Sequence, residues 1–382
     1  MDSLDVFQGT YNEKLIKKAQ EKRIPISGTF ELLPACNMKC KMCYIQQEPY
    51  EVKAGGGLQP VDFWVDVFQQ SVEQGLLFPL LTGGEPFLYP DFFELYERII
   101  RMGVHICINT NATLLNRERV SQLAKNPPRR LNISLYGASN ETYKTLCGNP
   151  NGFRQVTEAF ELLREYNIPF RVHSVLVPDN IADYDEIVNV CNAYKAPLAM
   201  AYYMFPAYRK GHNEISTEGR FLPDEMAQVA LRYRRDRSGG DTQEYRQYVY
   251  TVCEAMKRPE IYSLYDHNEV ACKGGKCTFW IDWKGNISGC GIHNQLSLDL
   301  HEVSFEQAWQ RIVEDTDQIR ISEKCKTCKY RCICQVCPAA GFCETGELSG
   351  VPQYLCEFCQ EYAALLFDER KRLFTDAGDN LL

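Results

Sequence analysis

The sequence of 382 residues has no long apolar run and no internal repeat. A helix that spans a bilayer needs roughly 20 consecutive apolar residues, and no stretch approaches that length. The first residues, MDSLDVFQGTYNEK, lack the basic flank and the apolar stretch of a signal peptide. We therefore expect no membrane association and a cytoplasmic location.

An excess of positive charge is also missing. The chain carries 42 Lys and Arg residues against 50 Asp and Glu residues, which gives a formal net charge of −8 at pH 7. A protein that neutralises the phosphates of nucleic acid needs the opposite balance. Nucleic acid is therefore not expected as a partner.

Cysteine, in contrast, is abundant, with 18 residues. Because cytoplasmic thiols are kept reduced, so many of them indicate metal or cluster ligation. Three lie together near the N-terminus, and eleven lie between Cys272 and Cys359. The other four are scattered and are best interpreted as small apolar core residues. They are Cys107, Cys147, Cys191 and Cys253.

Short apolar runs alternate with longer amphipathic stretches from residue 26 to residue 235, which is typical of repeated βα units around a parallel sheet. The predicted strands are 27–33, 78–82, 105–110, 131–136, 170–177 and 198–204. The predicted helices are 61–74, 91–102, 117–125, 152–166 and 183–193. Six such units predict an α/β fold, a partial (β/α)6 barrel, with its chemistry at the C-terminal ends of the strands.

The remaining chain divides into three predicted parts. Residues 1–25 form an N-terminal extension, and residues 236–268 form a linker or helical bridge that begins within the charged stretch RRDRSGGD. Residues 269–382 are rich in Cys, Gly and Lys and end in an amphipathic helix. This small domain lacks the apolar area to fold alone, so we expect it to fold around its metals.

Cys36, Cys40 and Cys43 follow the first predicted strand in the motif CxxxCxxC, with Tyr44 next to the third cysteine. Three thiolates on one short loop can hold three irons of a [4Fe–4S] cube and leave the fourth iron open. A zinc site is the alternative, since short Cys spacings are shared by both kinds of site.

This motif at the end of the first strand resembles the radical S-adenosylmethionine (SAM) superfamily. The resemblance implies that SAM binds to the open iron and is cleaved to a 5′-deoxyadenosyl radical. It also implies a role for Tyr44, whose backbone would face the adenine.

Three other strand ends match the same family. Gly83, Gly84, Glu85 and Pro86 resemble its GGEP segment, which binds the SAM ammonium group. Asn111 lies in NTNATL, where the family has a TNG-like turn and this chain departs from it with Ala112, and Ser134 lies in SLYG. The resemblance assigns both residues to SAM.

Two arginines near the fifth and sixth predicted strands, Arg171 and Arg209, could pair with the SAM carboxylate, or they could be ordinary solvated arginines.

The C-terminal cysteines resemble the SPASM extension of this superfamily, which carries two auxiliary [4Fe–4S] clusters. The connectivity of that family assigns one cluster to Cys272, Cys277, Cys290 and Cys337. It assigns the other to Cys325, Cys328, Cys334 and Cys356. Three cysteines are surplus, namely Cys332, Cys343 and Cys359, and Cys332 could compete with Cys334. Two structural zinc sites are the alternative.

The resemblance implies a cytoplasmic oxidoreductase with three [4Fe–4S] clusters and SAM. Because most SPASM relatives act on peptides, we expect a peptide maturase that forms a thioether or carbon–carbon crosslink. The alternatives are an anaerobic sulfatase maturase that forms formylglycine, a small-molecule dehydrogenase, and a non-catalytic electron carrier or zinc-stapled module.

Partners implied by the resemblance are a peptide or protein substrate and an electron donor of the flavodoxin or ferredoxin type. Only about 25 residues precede the first strand. We therefore also expect a separate protein that recognises the leader peptide, or direct leader binding to the barrel. Glu31, Tyr202 and Tyr203 are candidates for an acid or base.

Overall fold

The computed structural model describes residues 10–206, 219–258, 270, 272–293, 295–334 and 336–374. Its strands are β1 (Ser27–Glu31), β2 (Phe78–Thr82), β3 (Cys107–Thr110), β4 (Arg130–Ser134), β5 (Phe170–Val175), β6 (Leu198–Ala201), β7 (Thr278–Ile281), β8 (Asn286–Ser288) and β9 (Ser297–Asp299).

The α-helices lie before, between and after these strands along the chain. They are α1 (Thr10–Lys22), α2 (Pro49–Ala54), α3 (Val61–Glu73), α4 (Phe92–Ile100), α5 (Arg117–Lys125), α6 (Asn140–Cys147), α7 (Gly152–Glu165), α8 (Tyr184–Ala193), α9 (Pro223–Arg237), α10 (Gln243–Lys257), α11 (Phe305–Gln318), α12 (Glu323–Lys326), α13 (Pro338–Thr345) and α14 (Gln353–Phe374).

The nine strands form one sheet in the order β6-β5-β4-β3-β2-β1-β7-β8-β9. Strands β1 to β6 are parallel, and each pairs with its neighbour in sequence through a βα crossover. The α/β fold and all six predicted strands are confirmed, because buried apolar runs between amphipathic helices leave few other solutions.

Strand β7 pairs in parallel with β1, in the register Ser27 with Thr278, and β8 and β9 follow as antiparallel strands. Strands β7 and β8 form a hairpin around Gly285. The sequence did not predict that this hairpin joins the main sheet. Phe279 and Ile281 are buried, and that alternation supplies the apolar contact that holds β7 there.

The described residues divide into two compact units. Unit one contains residues 10–201 and 273–318, without the undescribed residue 294. Unit two contains residues 202–206, 219–258, 270, 272 and 319–374, without the undescribed residue 335. The predicted boundaries at residues 235 and 268 are not tested by this division and stay a prediction.

Phe30 of β1 anchors the packing of helix α3 on unit one. Its ring stacks on Phe68 with 3.8 Å between centroids and meets Trp64 edge to face at 6.4 Å. Burial of one such side chain contributes roughly 1.5–3 kcal/mol. The neighbouring side chains Thr29 and Glu31 point to the opposite face of the sheet, which we call the inner face.

Helix α14 organises unit two by packing on α9 and α10. The predicted terminal helix is therefore confirmed, although it begins at Gln353 and the sequence predicted a start at Glu361. Tyr362 of α14 forms a hydrogen bond with Tyr248 of α10 at 3.0 Å between the two hydroxyl oxygens.

Candidate active site

The N-terminal thiol loop begins directly after β1. The backbone N–H of Met38 donates to the Cys36 sulfur at 3.4 Å, and that of Gln46 donates to the Cys43 sulfur at 3.3 Å. Burial raises the pKa of Cys36 to about 12, and the charges of Glu85, Cys40 and Cys43 add to this effect. The three predicted ligands are therefore close enough to influence one another, and a metal must displace their protons.

Gly83 and Gly84 let the segment after β2 lie directly against the chain that leads into the thiol loop. The N–H of Gly84 donates to the Leu33 carbonyl at 2.8 Å, and that of Glu85 donates to the Ala35 carbonyl at 2.9 Å. A Cβ on Gly84 would lie 2.2 Å from the Ala35 oxygen. The glycines are thus required by the protein's own backbone, and their predicted contact with SAM stays a prediction.

The Glu85 carboxylate is fully buried and connects the ends of β2 and β3. It accepts hydrogen bonds from the Thr110 hydroxyl at 2.9 and 3.0 Å, from the Asn111 N–H at 2.8 Å and from the Phe87 N–H at 3.2 Å. Burial raises the pKa of Glu85 to about 7 although these donors oppose the shift. Pro86 begins the short 3₁₀ turn that follows.

Asn111 connects the end of β3 to the thiol loop. Its side-chain N–H group donates to the Asn37 side-chain oxygen at 2.9 Å and lies 3.6 Å from the Cys36 sulfur. The next residue, Ala112, has a φ of 60°, a conformation that favours glycine. The departure from a TNG-like turn therefore keeps the turn and places alanine in it.

Ser134 and Tyr44 are the two remaining residues that the sequence assigned to SAM. Ser134 is the last residue of β4 and is half-buried, and its carbonyl accepts a hydrogen bond from the Tyr143 hydroxyl at 3.4 Å. Tyr44 is also half-buried. The roles of both toward SAM remain predictions.

Cys147, which the sequence suggested to be a core residue, contacts the thiol loop. Its thiol lies close to the thiol of Cys40 and is the first cause of the raised pKa of Cys40. The carbonyls of Leu146 and Cys147 accept from the N–H groups of Lys41 at 3.0 Å and Lys39 at 2.8 Å. The end of α6 therefore holds the loop on a side that no motif indicated.

The inner face carries polar side chains in a row below the strand ends. Asn109, Asn132 and Arg171 are neighbours in register on β3, β4 and β5. The Asn132 side chain donates to the Asn109 oxygen at 2.7 Å and accepts from the Arg171 Nε at 2.8 Å and the Arg130 Nε at 3.0 Å. Arg130 and Asn132 were not predicted as site residues, although their spacing of two residues in a strand places both side chains on one face of the sheet.

The three acid–base candidates lie in different surroundings. Glu31 is fully buried on the inner face and accepts a hydrogen bond from the Trp280 Nε1 at 3.1 Å. In unit two, the Tyr203 hydroxyl lies 3.4 Å from Glu344, which is paired with Arg220. Burial raises the pKa of Tyr203. Tyr202 is half-buried, and Arg209 lies outside the described residues.

Unit two gathers the four thiols predicted to hold one auxiliary cluster. Burial raises the pKa of Cys325, and the charges of Cys334, Cys356 and Cys328 add to this shift. Burial likewise raises the pKa of Cys356, and the charges of Cys334 and Cys328 add to it. Cys325, Cys334 and Cys356 also line one cavity together with Cys337.

Cys359 adds a fifth thiol to that group, because it lies close to Cys334 and lowers the pKa of Cys334. Surplus Cys332 is directed elsewhere, with its sulfur 4.0 Å from the Val252 carbonyl and 3.9 Å from the Lys329 carbonyl. Surplus Cys343 is half-buried in α13.

The other predicted ligand set is distributed over both units. Cys277 and Cys290 belong to unit one, and Cys272 and Cys337 belong to unit two. The Cys290 sulfur accepts a hydrogen bond from the Ile292 N–H at 3.4 Å, as the N-terminal thiols do from their own neighbours. Cys277 is fully buried beside Ala19 and Ile26. This ligand set stays a prediction.

Two kinds of feature are absent from the described residues. Within the described ranges, no three His, Cys, Asp or Glu side chains are arranged to hold a single metal ion. No helix in the described part of the chain is both long and apolar enough to cross a membrane.

Comparison with known families identifies the larger part of unit one. The family description "Radical SAM superfamily" matches residues 30–191, from β1 to the end of α8. The chain carries a radical SAM domain. The matched range contains the three-cysteine loop, the GGEP segment, Asn111 and Ser134. The chain that carries this domain is an enzyme.

Relatives cover most of the length of this chain. It is 24% identical to an "AdoMet-dependent heme synthase" of Methanosarcina barkeri over 83% of this chain and 92% of that protein. It is 25% identical to a "PqqA peptide cyclase" of Bradyrhizobium diazoefficiens over 86% and 87%. It is 22% identical to the "Antilisterial bacteriocin subtilosin biosynthesis protein AlbA" of Bacillus subtilis over 87% and 69%.

Solved structures share the fold. Streptococcus suis SuiB bound to its precursor peptide SuiA has a TM-score of 0.64 at 18% identity, with 91% of this chain and 80% of that chain covered. The protein anSMEcpe with bound AdoMet and a peptide has a TM-score of 0.65 at 16% identity, with 91% and 99% covered. The predicted radical SAM type of α/β fold, with a Cys-rich C-terminal region, is confirmed.

The residues of the loop fit the [4Fe–4S] cluster and SAM of a radical SAM domain. Three thiols lie within electrostatic reach of one another, and two of them accept backbone N–H hydrogen bonds. Such bonds stabilise ligating thiolates. Cys36, Cys40 and Cys43 would hold the cluster, and the open iron would take SAM.

Proposed function

We propose that this radical SAM enzyme oxidises a peptide, forming a thioether or carbon–carbon crosslink, with two auxiliary [4Fe–4S] clusters that accept the electron left by hydrogen abstraction. The observation that carries the proposal is the group of four thiols in unit two, Cys325, Cys328, Cys334 and Cys356. Four thiolates ligate a cube completely, so such a cluster carries electrons instead of binding substrate.

The chain's own residues would hold and orient the reactants. The cluster with SAM supplies a 5′-deoxyadenosyl radical when it is bound. Gly83, Gly84, Glu85 and Pro86 would face the SAM ammonium group, and Asn111, Ser134 and the Tyr44 backbone would face the rest of the molecule. The second auxiliary set would be Cys272, Cys277, Cys290 and Cys337.

A peptide as substrate is supported by the names of relatives. PqqA peptide cyclase, AlbA and the "Sporulation killing factor maturation protein SkfB" of Bacillus subtilis are all similar to this chain. We further propose a flavodoxin- or ferredoxin-type electron donor, a separate protein for leader recognition and a cytoplasmic location.

The test is anaerobic reconstitution of the full chain. We expect about twelve irons per chain and SAM-dependent release of 5′-deoxyadenosine. A triple Cys36→Ala, Cys40→Ala, Cys43→Ala variant should lose about four irons and all SAM cleavage. Undiminished cleavage by that variant would exclude the proposed site.

The peptide is tested separately with short precursors encoded beside the gene. The expected product is a peptide that has lost two hydrogens and whose fragmentation pattern shows a crosslink. An unchanged peptide, with 5′-deoxyadenosine still released, would contradict the peptide assignment and retain the radical SAM chemistry.

Haem synthesis is the second candidate. It is favoured by relatives named "AdoMet-dependent heme synthase", which match 83% of this chain and 84–92% of their own length. The same reconstituted enzyme, given haem precursors in place of peptides, would distinguish the two. Conversion of a precursor to haem would replace the peptide proposal.

A further inference from the structure

Two arginines share one hydrogen-bond acceptor on the inner face of the sheet. Arg130 of β4 and Arg171 of β5 both donate through Nε to the side-chain oxygen of Asn132, at 3.0 and 2.8 Å. Asn132 is held in turn by Asn109 at 2.7 Å. The network therefore fixes two guanidinium groups beside each other and uses only one nitrogen of each.

The remaining nitrogens of this pair have no acceptor in the described part of the chain, and no carboxylate there lies within 4.0 Å of either group. Arg171 is only 9% exposed, and Arg130 is half-buried. Two like charges held together in a partly buried place repel each other, and an anion between them relieves that repulsion.

A third inner-face residue lies above the pair. His173 follows Arg171 by two positions on β5, and its Nε2 is buried without a partner among the described residues. Burial and the charges of Arg171 and Arg130 lower the pKa of His173 to about 3. The histidine is therefore neutral and does not add a third positive charge.

We propose that Arg130 and Arg171 form a binding site for a carboxylate group of the substrate. The inference rests on the proposed function, in which the substrate is a peptide that carries Asp, Glu or C-terminal carboxylates. A planar carboxylate matches the fork of a guanidinium, and two forks hold it from two sides.

The position of the arginine pair along the strands separates it from the residues predicted to bind SAM. Asn132 is in register with Arg171, whereas Ser134 is in register with His173, two residues closer to the strand ends. Two residues along a strand correspond to about 7 Å. SAM is predicted to bind at the strand ends, so a group held by the arginines would lie one layer deeper in the sheet and would not overlap the predicted SAM residues.

The test measures ligand binding by the reconstituted full-length enzyme. Glutarate is the probe, and glutaramide is its uncharged match. Glutarate should raise the melting temperature in a saturable way, and glutaramide should not. Arg171→Met should weaken glutarate binding at least about tenfold, because a charge-assisted pair is lost. In this variant Asn132 still accepts the hydrogen bond from Arg130.

Arg101→Met is the matched control, since that side chain is 77% exposed. Glutarate binding should be unchanged in this variant. SAM affinity should be unchanged in both variants. Arg171→Lys keeps the charge but loses the guanidinium fork, so it should also bind glutarate weakly. This second variant keeps the test valid if Arg171→Met misfolds. Iron content shows whether each variant is folded.

Three results would overturn the proposal: no response of the wild-type enzyme to glutarate, glutarate binding that survives in Arg171→Met, or a matching loss of SAM affinity. The last result would assign the pair to the SAM carboxylate. Failure of the proposed function would appear elsewhere, as absent 5′-deoxyadenosine, and leaves this binding test readable.

Discussion

The thiol of Cys147, the last residue of α6, lies close to the thiol of Cys40, the middle ligand of the predicted cluster loop, and raises the pKa of Cys40. Backbone bonds from Lys39 and Lys41 to the end of α6 fix this contact. Once Cys40 is a thiolate, Cys147 can only donate to it. Hydrogen bonds to ligating sulfurs are one of the ways in which a protein sets the potential of a cluster.

Replacing Cys147 by alanine should therefore make the N-terminal cluster harder to reduce. A hydrogen bond of about 1 kcal/mol corresponds to roughly 40 mV for one electron. Cys147→Ser should restore most of the difference because the hydroxyl also donates. Redox titration followed by electron paramagnetic resonance measures the effect. Cys191→Ala, a buried cysteine of α8, is the control, and an equal potential in all four proteins would contradict the argument.

Gly84 is predicted to tolerate no side chain. A Cβ would lie 2.2 Å from the Ala35 oxygen, so Gly84→Ala must push the GGEP segment away from the thiol loop. We expect the variant to lose about four irons and SAM binding while it keeps the C-terminal clusters. Iron analysis and SAM binding by equilibrium dialysis are the measurements.

Gly103→Ala is the control for this variant. Gly103 has a φ of +79°, and a Cβ added to it would meet no atom within 4 Å. Alanine there should cost about 1–2 kcal/mol of stability without loss of iron. If both variants keep all their iron, the close approach of the two segments is not needed for the cluster.

Periodicity and motif spacing predicted the six strands β1 to β6 and the residues at their C-terminal ends, since parallel strands bring those ends to one edge. They could not predict that Cys147 meets Cys40, because residues 107 positions apart are joined only by the packing of α6. The addition of β7 to β1 was missed for the same reason. Arg171 was identified from the sequence as a cation that could bind a carboxylate. Its neighbour Arg130 could be recognised only from the register of β4 against β5.

Glu85 should make the enzyme less stable as the pH rises. Its pKa is raised to about 7 in the folded chain by burial, from 4.5, so the folded state binds more protons than the unfolded state between these values. The stability from protonated Glu85 is complete below about pH 4.5 and is lost as the pH rises through 7. The loss amounts to about 3 kcal/mol.

Glu85→Gln removes this titration. Urea unfolding from pH 5 to pH 8 should therefore show a smaller decrease of the unfolding free energy for the variant than for the wild type. Glu158→Gln, an exposed glutamate paired with Arg154, serves as the control and should follow the wild type. Parallel curves for Glu85→Gln and the wild type would show that Glu85 does not titrate in this range.

The Arg220–Glu344 pair should contribute to the stability of unit two. The side chains are only 11% and 14% exposed, and the arginine also lies over the Tyr354 ring at 3.7 Å. Arg220→Met leaves the Glu344 charge buried and unpaired, which costs about 3–5 kcal/mol. Thermal unfolding of the variant measures the loss.

The double variant Arg220→Met, Glu344→Gln tests whether the charge is the cause. It should recover most of the lost stability, because no buried charge remains. An exposed pair, Lys144 with Glu141, provides the comparison, and Lys144→Met should cost no more than about 1 kcal/mol. A double variant as unstable as Arg220→Met would point to packing instead.

Cys334, and not Cys332, should be the ligand in unit two. Cys334 contacts Cys359 and lines the cavity with Cys325 and Cys356, whereas the Cys332 sulfur faces backbone carbonyls. Cys334→Ala should therefore lose about four of about twelve irons, and Cys332→Ala should keep them all. Iron analysis with Mössbauer spectroscopy separates the cases. The reverse pattern would move the cluster to Cys332 and would mean that the loop between α12 and α13 rearranges when the metal binds.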